Sequence, residues 1–274
     1  MSAAFTPTAE GDLPGWLVID TNAPGPPSIV TLSGTGTPGT ATTTTTTSTA
    51  ATTTTTSSTT TTTVGGTGGS ATLNFVTGWN LTGNSSSEAL DIAAAFGDTG
   101  KVNTVWKWVP GTTRWAFYAP SLAAQQLSDY AASKGYDVLS SISGGEGFWV
   151  NAKSAFSASV AGGTPVETTT FQTDAATGQS KLVTGWNLIA IGDNKTPSQF
   201  NASIGATSPA AGQIPINVTT LWAWDANLAN WYFYAPSLEE KGGTVLADYI
   251  TSKNYLNFGA NTLGPTTGFW VNKP

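Results

Sequence analysis

The stretch VWKWVPGTTRWAFYAPSL at residues 105–122 occurs a second time, as LWAWDANLANWYFYAPSL at residues 221–238. The two stretches align without a gap at an offset of 116 residues. Each one alternates aromatic with other residues on both sides of a short turn, which is the pattern of a β-hairpin. Because successive side chains of a strand point to opposite faces, Trp106 and Trp108 are predicted to share one face.

Three further phrases are repeated around this hairpin. The offset between the copies rises from 107 residues at GWNL to 121 residues at GFWVN, and the insertions responsible fall where Gly, Pro and Asn cluster. Such clusters are typical of loops, so the chain is predicted to hold two tandem homologous modules at residues 71–160 and 181–274, with a linker at 161–180. The repeated phrases are GWNL at 78–81 and 185–188, DYAASK at 129–134 with DYITSK at 248–253, and GFWVN at 147–151 and 268–272.

Each module is predicted to be α+β, in the order strand, helix, hairpin, helix, strand. The segment SSSEALDIAAAFG at residues 85–97 has a Ser N-cap, an early Glu and a terminal Gly, which indicates a helix. A second helix is predicted in LAAQQLSDYAASKG at residues 122–135, where Ser121 is a candidate cap and Gly135 ends the helix. Leu127, Tyr130 and Ala131 lie on one face of that helix.

The first 70 residues have a different character. WLVID at residues 16–20 and SIVTLSG at residues 28–34 are predicted strands, and the turn-rich TNAPGPP joins them. Residues 40–63 are nearly all Thr, which is β-branched and stiff, so this tract is predicted to be an extended spacer. We therefore expect a partial all-β segment at 1–38 and a Thr/Gly-rich spacer at 39–70, ahead of the two modules.

The N-terminal segment resembles a known domain type. Phe5 and Pro7 form an F-x-P opening, residues 19–24 form an I-x-T-N-A-P turn, and residues 32–37 read LSGTGT. These marks resemble the last strands of a Hydin-type immunoglobulin-like domain, as found in choice-of-anchor D bacterial surface proteins. The resemblance implies that the earlier strands of such a domain are missing from this segment.

The repeated pattern carries a second resemblance. GWNL, VW-x-W, W-x-F-Y-x-P and G-x-G-F-W-V together resemble a module that recurs in secreted bacterial surface proteins, and the resemblance covers residues 73–154 and 181–274. It implies an extracellular or cell-surface location and a modular build, but it implies no catalytic or binding residues.

Composition excludes several functions. The chain has no Cys and no His, which removes disulfides, imidazole bases and the usual zinc ligands, so no metal or cofactor is expected. A single arginine, Arg114, and a net charge of −6 argue against a nucleic-acid partner. No apolar run approaches the roughly 20 residues of a membrane span.

No catalytic set is predicted, so we expect a protein that is not an enzyme. Only two carboxylates, Asp129 and Asp248, occupy equivalent positions in the two modules, and both are interpreted as exposed helix residues. Glu146 lies in a Gly-rich loop and is the remaining candidate for a hydrolase, although its counterpart in the second module is a Thr.

The aromatic residues allow two interpretations. Trp106, Trp108, Trp115 and Phe117 are expected to form a core against the two helices, because each buried aromatic removes about 150–250 Å² from water. The alternative is the carbohydrate-binding region of a larger secreted enzyme, which requires exposed and roughly coplanar Trp rings at equivalent places and takes a surface polysaccharide as partner. The candidate binding residues are Tyr118, Tyr232, Tyr234, Trp115 and Trp231.

The N-terminal strands predict self-association. Their apolar residues are too numerous for a solvated tail, and unpaired strand edges recruit further strands. We expect pairing with a neighbouring chain rather than with this chain's own modules. The resulting prediction is a non-enzymatic exported bacterial surface protein with a structural or adhesive role, as a filament or stalk subunit. The candidate assembly residues are Trp16, Val18, Ile19, Ile29, Val30 and Leu32.

Overall fold

The computed structural model describes the backbone of residues 11–19 and 28–36, and the whole of residues 71–274. The chain divides into two compact units, Met1–Thr60 and Thr61–Pro274. The predicted Thr spacer at 40–63 lies outside the described residues.

The first unit contains an antiparallel pair of strands. Strand β1 spans Gly11–Ile19 and β2 spans Ser28–Gly36, with Trp16 opposite Thr31 and Val18 opposite Ile29. The two strands predicted from the sequence are therefore present and are longer than expected. Among the described residues, their sheet has two strands.

In the second unit, the segment that we call repeat 1 (residues 71–160) builds a five-stranded sheet with strand order β4-β10-β6-β7-β8. Two small two-stranded sheets, β3 with β11 and β5 with β9, accompany it. The elements are β3 (Ala71–Phe75), β4 (Gly78–Gly83), β5 (Leu90–Asp91), α1 (Ile92–Phe96), β6 (Val102–Val109), β7 (Arg114–Tyr118), α2 (Ala124–Lys134), β8 (Asp137–Val138), β9 (Ser141–Ile142), β10 (Gly147–Ala152) and β11 (Phe156–Val160).

Repeat 2 (residues 181–274) builds a second five-stranded sheet with the corresponding order, β12-β16-β13-β14-β15. A 3₁₀ helix at Thr168–Phe171 precedes it in the connecting segment. The elements are β12 (Gly185–Ala190), α3 (Pro197–Ser203), β13 (Thr220–Asp225), β14 (Asn230–Tyr234), α4 (Pro236–Glu239), α5 (Val245–Ser252), β15 (Leu256–Asn257) and β16 (Gly268–Lys273).

The predicted α+β fold class is wrong, because the second unit is predominantly β. Among residues 71–274, the longest helix, α2, has 11 residues, and the other α-helices have four to eight. The repeats also do not separate into two modules, since Thr61–Pro274 forms one compact unit.

The helix predicted at residues 85–97 is mostly absent because of a long-range strand pairing. Within residues 85–97, only Ile92–Phe96 are helical, and Asp91 rather than a Ser caps them by accepting a hydrogen bond from Ala94 N at 2.8 Å. Leu90 instead pairs with Ile142 in the β5–β9 ladder and is buried there. Burial of this apolar residue outweighs the helix propensity of the Ala-rich run.

The hairpin prediction is confirmed. Strands β6 and β7 pair antiparallel, with Trp106 opposite Phe117 and Trp108 opposite Trp115. The prediction that these four side chains pack against the helices is only partly right. Trp106 and Phe117 pack beside Leu127 of α2, whereas Trp108 and Trp115 pack against the sheet of repeat 2.

Both faces of each five-stranded sheet are covered. In β10, Trp149 points to the layer between the sheets, while its neighbours Phe148 and Val150 point to the outer core of repeat 1. In β16, Trp270 and Phe269 divide in the same way. Burial on both faces explains why GFWV is a continuous apolar run rather than an alternating one.

Candidate functional site

The repeated Trp residues form one layer between the two five-stranded sheets. Trp108, Trp149 and Trp270 are at most 6% exposed. The ring centroids of Trp108 and Trp270 lie 6.1 Å apart, and those of Trp224 and Trp149 lie 6.0 Å apart. Because Trp108 is equivalent to Trp224 and Trp149 to Trp270, the same contact is made twice, once from each repeat.

The hydrogen bonds of this layer are reciprocal. The indole Nε1 of Trp108 donates to the carbonyl oxygen of Trp186 at 2.9 Å, and Nε1 of Trp224 donates to the carbonyl oxygen of Trp79 at 2.9 Å. Each donor and acceptor of one bond is the equivalent of those in the other. The two repeats are therefore related as the halves of an isologous dimer are, within a single chain.

The seam between the sheets repeats this relation in the backbone. Gly83 N donates to the carbonyl oxygen of Thr266 at 3.1 Å, and Ala190 N donates to the carbonyl oxygen of Gly145 at 2.9 Å. Gly83 is equivalent to Ala190, and Gly145 is equivalent to Thr266. These bonds occupy the outer edges of β4 and β12 at the point where the two sheets meet.

Two further indoles are equivalent but lack this kind of bond. The Nε1 atoms of Trp149 and Trp270 are buried and have no hydrogen-bond partner among the described residues. Trp79 meets the Trp149 ring at an interplanar angle of 85°, and Trp186 meets the Trp270 ring at 89°. Such edge-to-face contacts are favourable in themselves and offset part of the cost of the unpaired donors.

The five predicted binding residues do not converge on one surface. Trp115 and Trp231 are half-buried in the Trp layer. Tyr118 and Tyr232 are half-buried against the outer cores of the two repeats. Tyr234 is 4% exposed and donates a hydrogen bond to Glu239 at 2.6 Å, so its ring is not accessible to a ligand.

One buried and three half-buried tyrosines have a raised pKa. Burial raises the pKa of Tyr234 above its usual range, and the hydrogen bond to Glu239 raises it further. Burial also raises the pKa of Tyr118, Tyr232 and Tyr255, with smaller contributions from the nearby Asp91, Asp225 and Tyr249 respectively. None of these hydroxyls is therefore suited to proton transfer near neutral pH.

A flat Trp platform for sugars is not present in residues 71–274. No Trp there is exposed, and Trp106, Trp115, Trp222 and Trp231 are all half-buried. Adjacent Trp rings cross at interplanar angles between 56° and 90° rather than lying in one plane. The condition that the carbohydrate-binding alternative places on the Trp residues is not met.

Glu146 is engaged by its own loop and by a lysine. Its carboxylate lies 2.9 Å from Lys107 Nζ and accepts a hydrogen bond from Ser143 N at 2.7 Å. The equivalent positions in repeat 2 are Ala223 and Thr267, so the ion pair occurs once. This geometry holds the turn before β10 in place.

The two equivalent carboxylates are exposed on helices, as predicted. Asp129 accepts a hydrogen bond from the Gln125 side chain at 2.9 Å, and Asp248 accepts one from the Thr244 hydroxyl at 2.8 Å. Each bond links positions one helical turn apart. Within the described residues, no cluster of three or more acidic side chains is placed to hold a metal ion.

The exposed tyrosines of α2 and α5 were not identified as site residues from the sequence. Leu127 and Ala131 are buried as the helical pattern predicts, but Tyr130 is 42% exposed. Its equivalent, Tyr249, is 37% exposed. The signal that could have identified them is the repetition of DY-x-x-SK itself, because a helix of this length needs only its buried positions for packing.

A cleft of about 200 Å³ opens beside α5 in repeat 2. Its single ionisable side chain, Glu239, already accepts the hydrogen bond of Tyr234. The cleft therefore offers little chemistry to a reacting ligand. Its lining residues are Leu238, Glu239, Gly242, Gly243, Leu246, Ala247 and Asn257.

The predicted assembly residues lie on β1 and β2, for which the structure describes the backbone. Trp16 and Val18 belong to β1, and Ile29, Val30 and Leu32 belong to β2; Ile19 is the last residue of β1. In the ladder, Val18 faces Ile29 and Leu17 faces Val30.

Comparison with known proteins gives no relative for this chain: no protein-family model, curated protein or solved structure matches it. Within its described part, the chain has no helix with the length and apolar character that crossing a membrane requires.

Proposed function

We propose that this protein is a non-enzymatic structural or adhesive component of a bacterial cell surface, and that its chains associate through the β1–β2 hairpin. The observation that carries this proposal is the hairpin itself. Its strands have nine residues each, and among the described residues no third strand pairs with either of them. A lone pair of strands is marginally stable in water, and its two open edges favour the addition of further strands.

The five-stranded sheets offer much less edge for association. The strands at their far ends, β8 and β15, have two residues each. The strands at their near ends, β4 and β12, are bridged across the seam, Thr82 with Thr267 and Ile189 with Glu146. Strand addition is therefore favoured at the hairpin rather than at these sheets.

A hairpin that adds to the edge of a neighbouring hairpin leaves its own second edge open. Such a contact is heterologous and does not close, so it propagates into a filament or stalk. The two resemblances to bacterial surface proteins support the location, and the absence of His and Cys from the chain supports a role without catalysis.

The identical residues of the two repeats also support a structural role. The identical Trp residues form the layer between the sheets and make the reciprocal hydrogen bonds between the repeats, rather than lining a shared cleft. An enzyme needs an acid, a base, a nucleophile or a metal ligand at one convergent place. Each of the three candidate carboxylates already accepts a hydrogen bond from a side chain of the protein. They are Glu146, Asp129 and Asp248.

The test compares two deletions of the full chain. Removal of residues 1–38 deletes the hairpin, while removal of residues 40–63 deletes another N-terminal segment and keeps the hairpin. We expect the full chain and the 40–63 deletion to form oligomers in sedimentation velocity and fibrous particles in electron microscopy. The 1–38 deletion should remain monomeric and keep the native Trp fluorescence of residues 71–274. Assembly of the 1–38 deletion to the same extent as the full chain would refute the proposal.

A further inference from the structure

Tyr130 and Tyr249 are the large apolar side chains of residues 71–274 that are exposed at the same position in both repeats. At each of the other exposed large apolar side chains, the equivalent residue of the other repeat differs in type or in burial. Exposed apolar groups that occur singly are normal on a protein surface, whereas a pair at equivalent places needs an explanation. The single ones are Val138, Val183, Ile216, Leu228 and Val245.

The residues around each tyrosine are also identical and exposed. Each tyrosine is preceded by an Asp and followed, three and four positions later, by a Ser and a Lys, all of them on the surface. The exposed hairpin tips, by contrast, differ in sequence. Gly111 of repeat 1 is equivalent to Asn227 of repeat 2, and Thr112 is equivalent to Leu228. Most exposed substitutions change stability by less than about 0.5 kcal/mol, so folding alone does not account for the identity of these four surface residues.

The two tyrosine rings are held in the same pose. In repeat 1, Lys134 Nζ lies over the Tyr130 ring at 6.0 Å from its centroid, and the centroid of the Phe117 ring lies 5.2 Å from that of Tyr130 at an interplanar angle of 44°. In repeat 2 the corresponding values are 6.0 Å, 5.2 Å and 41°. The ring orientation is therefore set before any ligand arrives, which lowers the entropic cost of binding.

We propose that these two patches are a matched pair of binding sites for a neutral polysaccharide. The exposed part of each ring offers an apolar surface to the C–H face of a pyranose. The Asp accepts hydrogen bonds from sugar hydroxyls and the Lys donates them. Ser133 uses its proton on the Tyr130 carbonyl oxygen at 2.7 Å and keeps its lone pairs for a hydroxyl donor.

The charges around each tyrosine favour a neutral ligand. Each patch has one Asp and one Lys and therefore no net charge, while the chain as a whole has a net charge of −6. A polyanion such as an acidic polysaccharide or a nucleic acid is repelled by that field.

Duplication selects a repeating ligand. Two identical sites on one compact unit are suited to a polymer that presents the same sugar many times. Binding of the second site is then intramolecular, which strengthens weak single contacts. This site goes beyond the proposed assembly and does not depend on the hairpin.

The experiment is affinity electrophoresis of the full chain in gels that contain dextran, laminarin or pullulan, with alginate as the acidic comparison. The variants are Tyr130→Ser, Tyr249→Ser and the pair together. Leu228→Ser is the matched control, since Leu228 is 62% exposed and lies at the diverged hairpin tip. We expect at least one neutral gel to retard the wild type. Each single variant should be about 30-fold weaker, because loss of either site removes the avidity, and the double variant should not be retarded.

Four results would overturn the proposal: retardation of the double variant equal to wild type, an equal loss in Leu228→Ser, retardation by alginate alone, or none in any neutral gel. A second measurement uses the wild-type chain and so avoids a folding defect in the variants. Tetranitromethane should nitrate Tyr130 and Tyr249, and the retarding polysaccharide should protect these two while leaving the nitration of other tyrosines unchanged. Equal nitration with and without the polysaccharide would reject the sites.

Discussion

At the scale of single residues, the Asn of each GWNL explains why the phrase is repeated. Asn80 accepts a hydrogen bond from Val76 N at 2.9 Å and donates to the carbonyl oxygens of Val76 at 2.8 Å and Gly78 at 2.9 Å. In repeat 2, Asn187 makes the same three bonds to Val183 and Gly185. The glycine of each loop has a positive φ, 96° and 89°, which a residue with a side chain rarely adopts.

Replacement of either Asn by Ala should destabilise the protein strongly. The change leaves one backbone N–H and two carbonyl groups without their partner, at a cost of about 2–4 kcal/mol in the free energy of unfolding. Urea denaturation followed by Trp fluorescence measures it. Since the two bonding sets are the same, Asn80→Ala and Asn187→Ala should agree within about 1 kcal/mol. A loss below about 0.5 kcal/mol in either variant would contradict this account.

The buried Tyr234 should make the protein sensitive to alkali. Its pKa is higher in the folded than in the unfolded chain, because burial and Glu239 disfavour the phenolate. Its contribution to stability is therefore complete below the unfolded pKa of about 10 and is lost progressively as pH rises above that value.

Tyr234→Phe should flatten the fall in stability above pH of about 10, at the cost of about 1 kcal/mol at neutral pH from the lost hydrogen bond. Urea midpoints measured from pH 7 to 11 test this. Tyr118→Phe is the matched control, because it changes the equivalent strand position, which is only half-buried. If Tyr234→Phe and the wild type lose stability in parallel above pH 10, another group is responsible.

At the scale of secondary-structure elements, the sequence predicted strands better than helices. The hairpin β6–β7 was predictable because its aromatic alternation and its ungapped repetition are both local signals. Helix α2 was predictable to within two residues at each end from its buried Leu127 and its left-handed cap at Gly135. The helix at 85–97 was mostly wrong, because the ladder that captures Leu90 joins it to Ile142, far away along the chain.

The Trp layer could not be predicted from the sequence either, because it too depends on contacts between residues far apart along the chain. Period two placed Trp106 and Trp108 on one face correctly, but nothing local states what covers that face. For Trp108 the covering element is the other copy of the same sheet, whereas the sequence predicts helices at that position. The helical pattern likewise groups the exposed Tyr130 with its buried neighbours, because periodicity alone does not separate the edge of an apolar stripe from its centre.

Strands β4 and β12 meet at two equivalent residues, Gly83 and Ala190, and the first of these has no side chain. A Cβ on Gly83 would overlap the methyl group of Ala190. Gly83 and Ala190 are equivalent, so the pseudo-twofold axis that relates the repeats passes between them. The space at this point holds a single methyl group.

Gly83→Ala should therefore destabilise the protein by about 1–3 kcal/mol through overpacking. Ala190→Gly in the same chain should restore most of that loss, because it moves the methyl group to the other strand. Thermal denaturation of the two single variants and the exchanged pair forms the test. Additive losses in the double variant would mean that the two residues do not share one space.

At the scale of the second unit, the reciprocal contacts predict that the repeats hold together without a covalent link. Residues 174–178 form an exposed turn in the connecting segment. A protease site inserted between Ala176 and Thr177 should be cut readily, and the two fragments should remain together in size-exclusion chromatography and native mass spectrometry.

Trp108→Phe and Trp224→Phe in the cut protein should each weaken the association by about 1 kcal/mol, since each removes one of two equivalent indole hydrogen bonds. The reciprocal geometry requires the two effects to be similar. Fragments that separate after cleavage of the wild-type chain would show that the Trp layer does not hold the repeats together.

Because the Trp faces cover each other in pairs, this architecture requires an even number of repeats. One repeat covers the aromatic face of one other repeat and has no second face of the same kind to offer. A chain with a third copy would leave one set of indoles uncovered, to be met in another molecule. Growth of such a protein by duplication is thus expected to proceed in steps of two repeats.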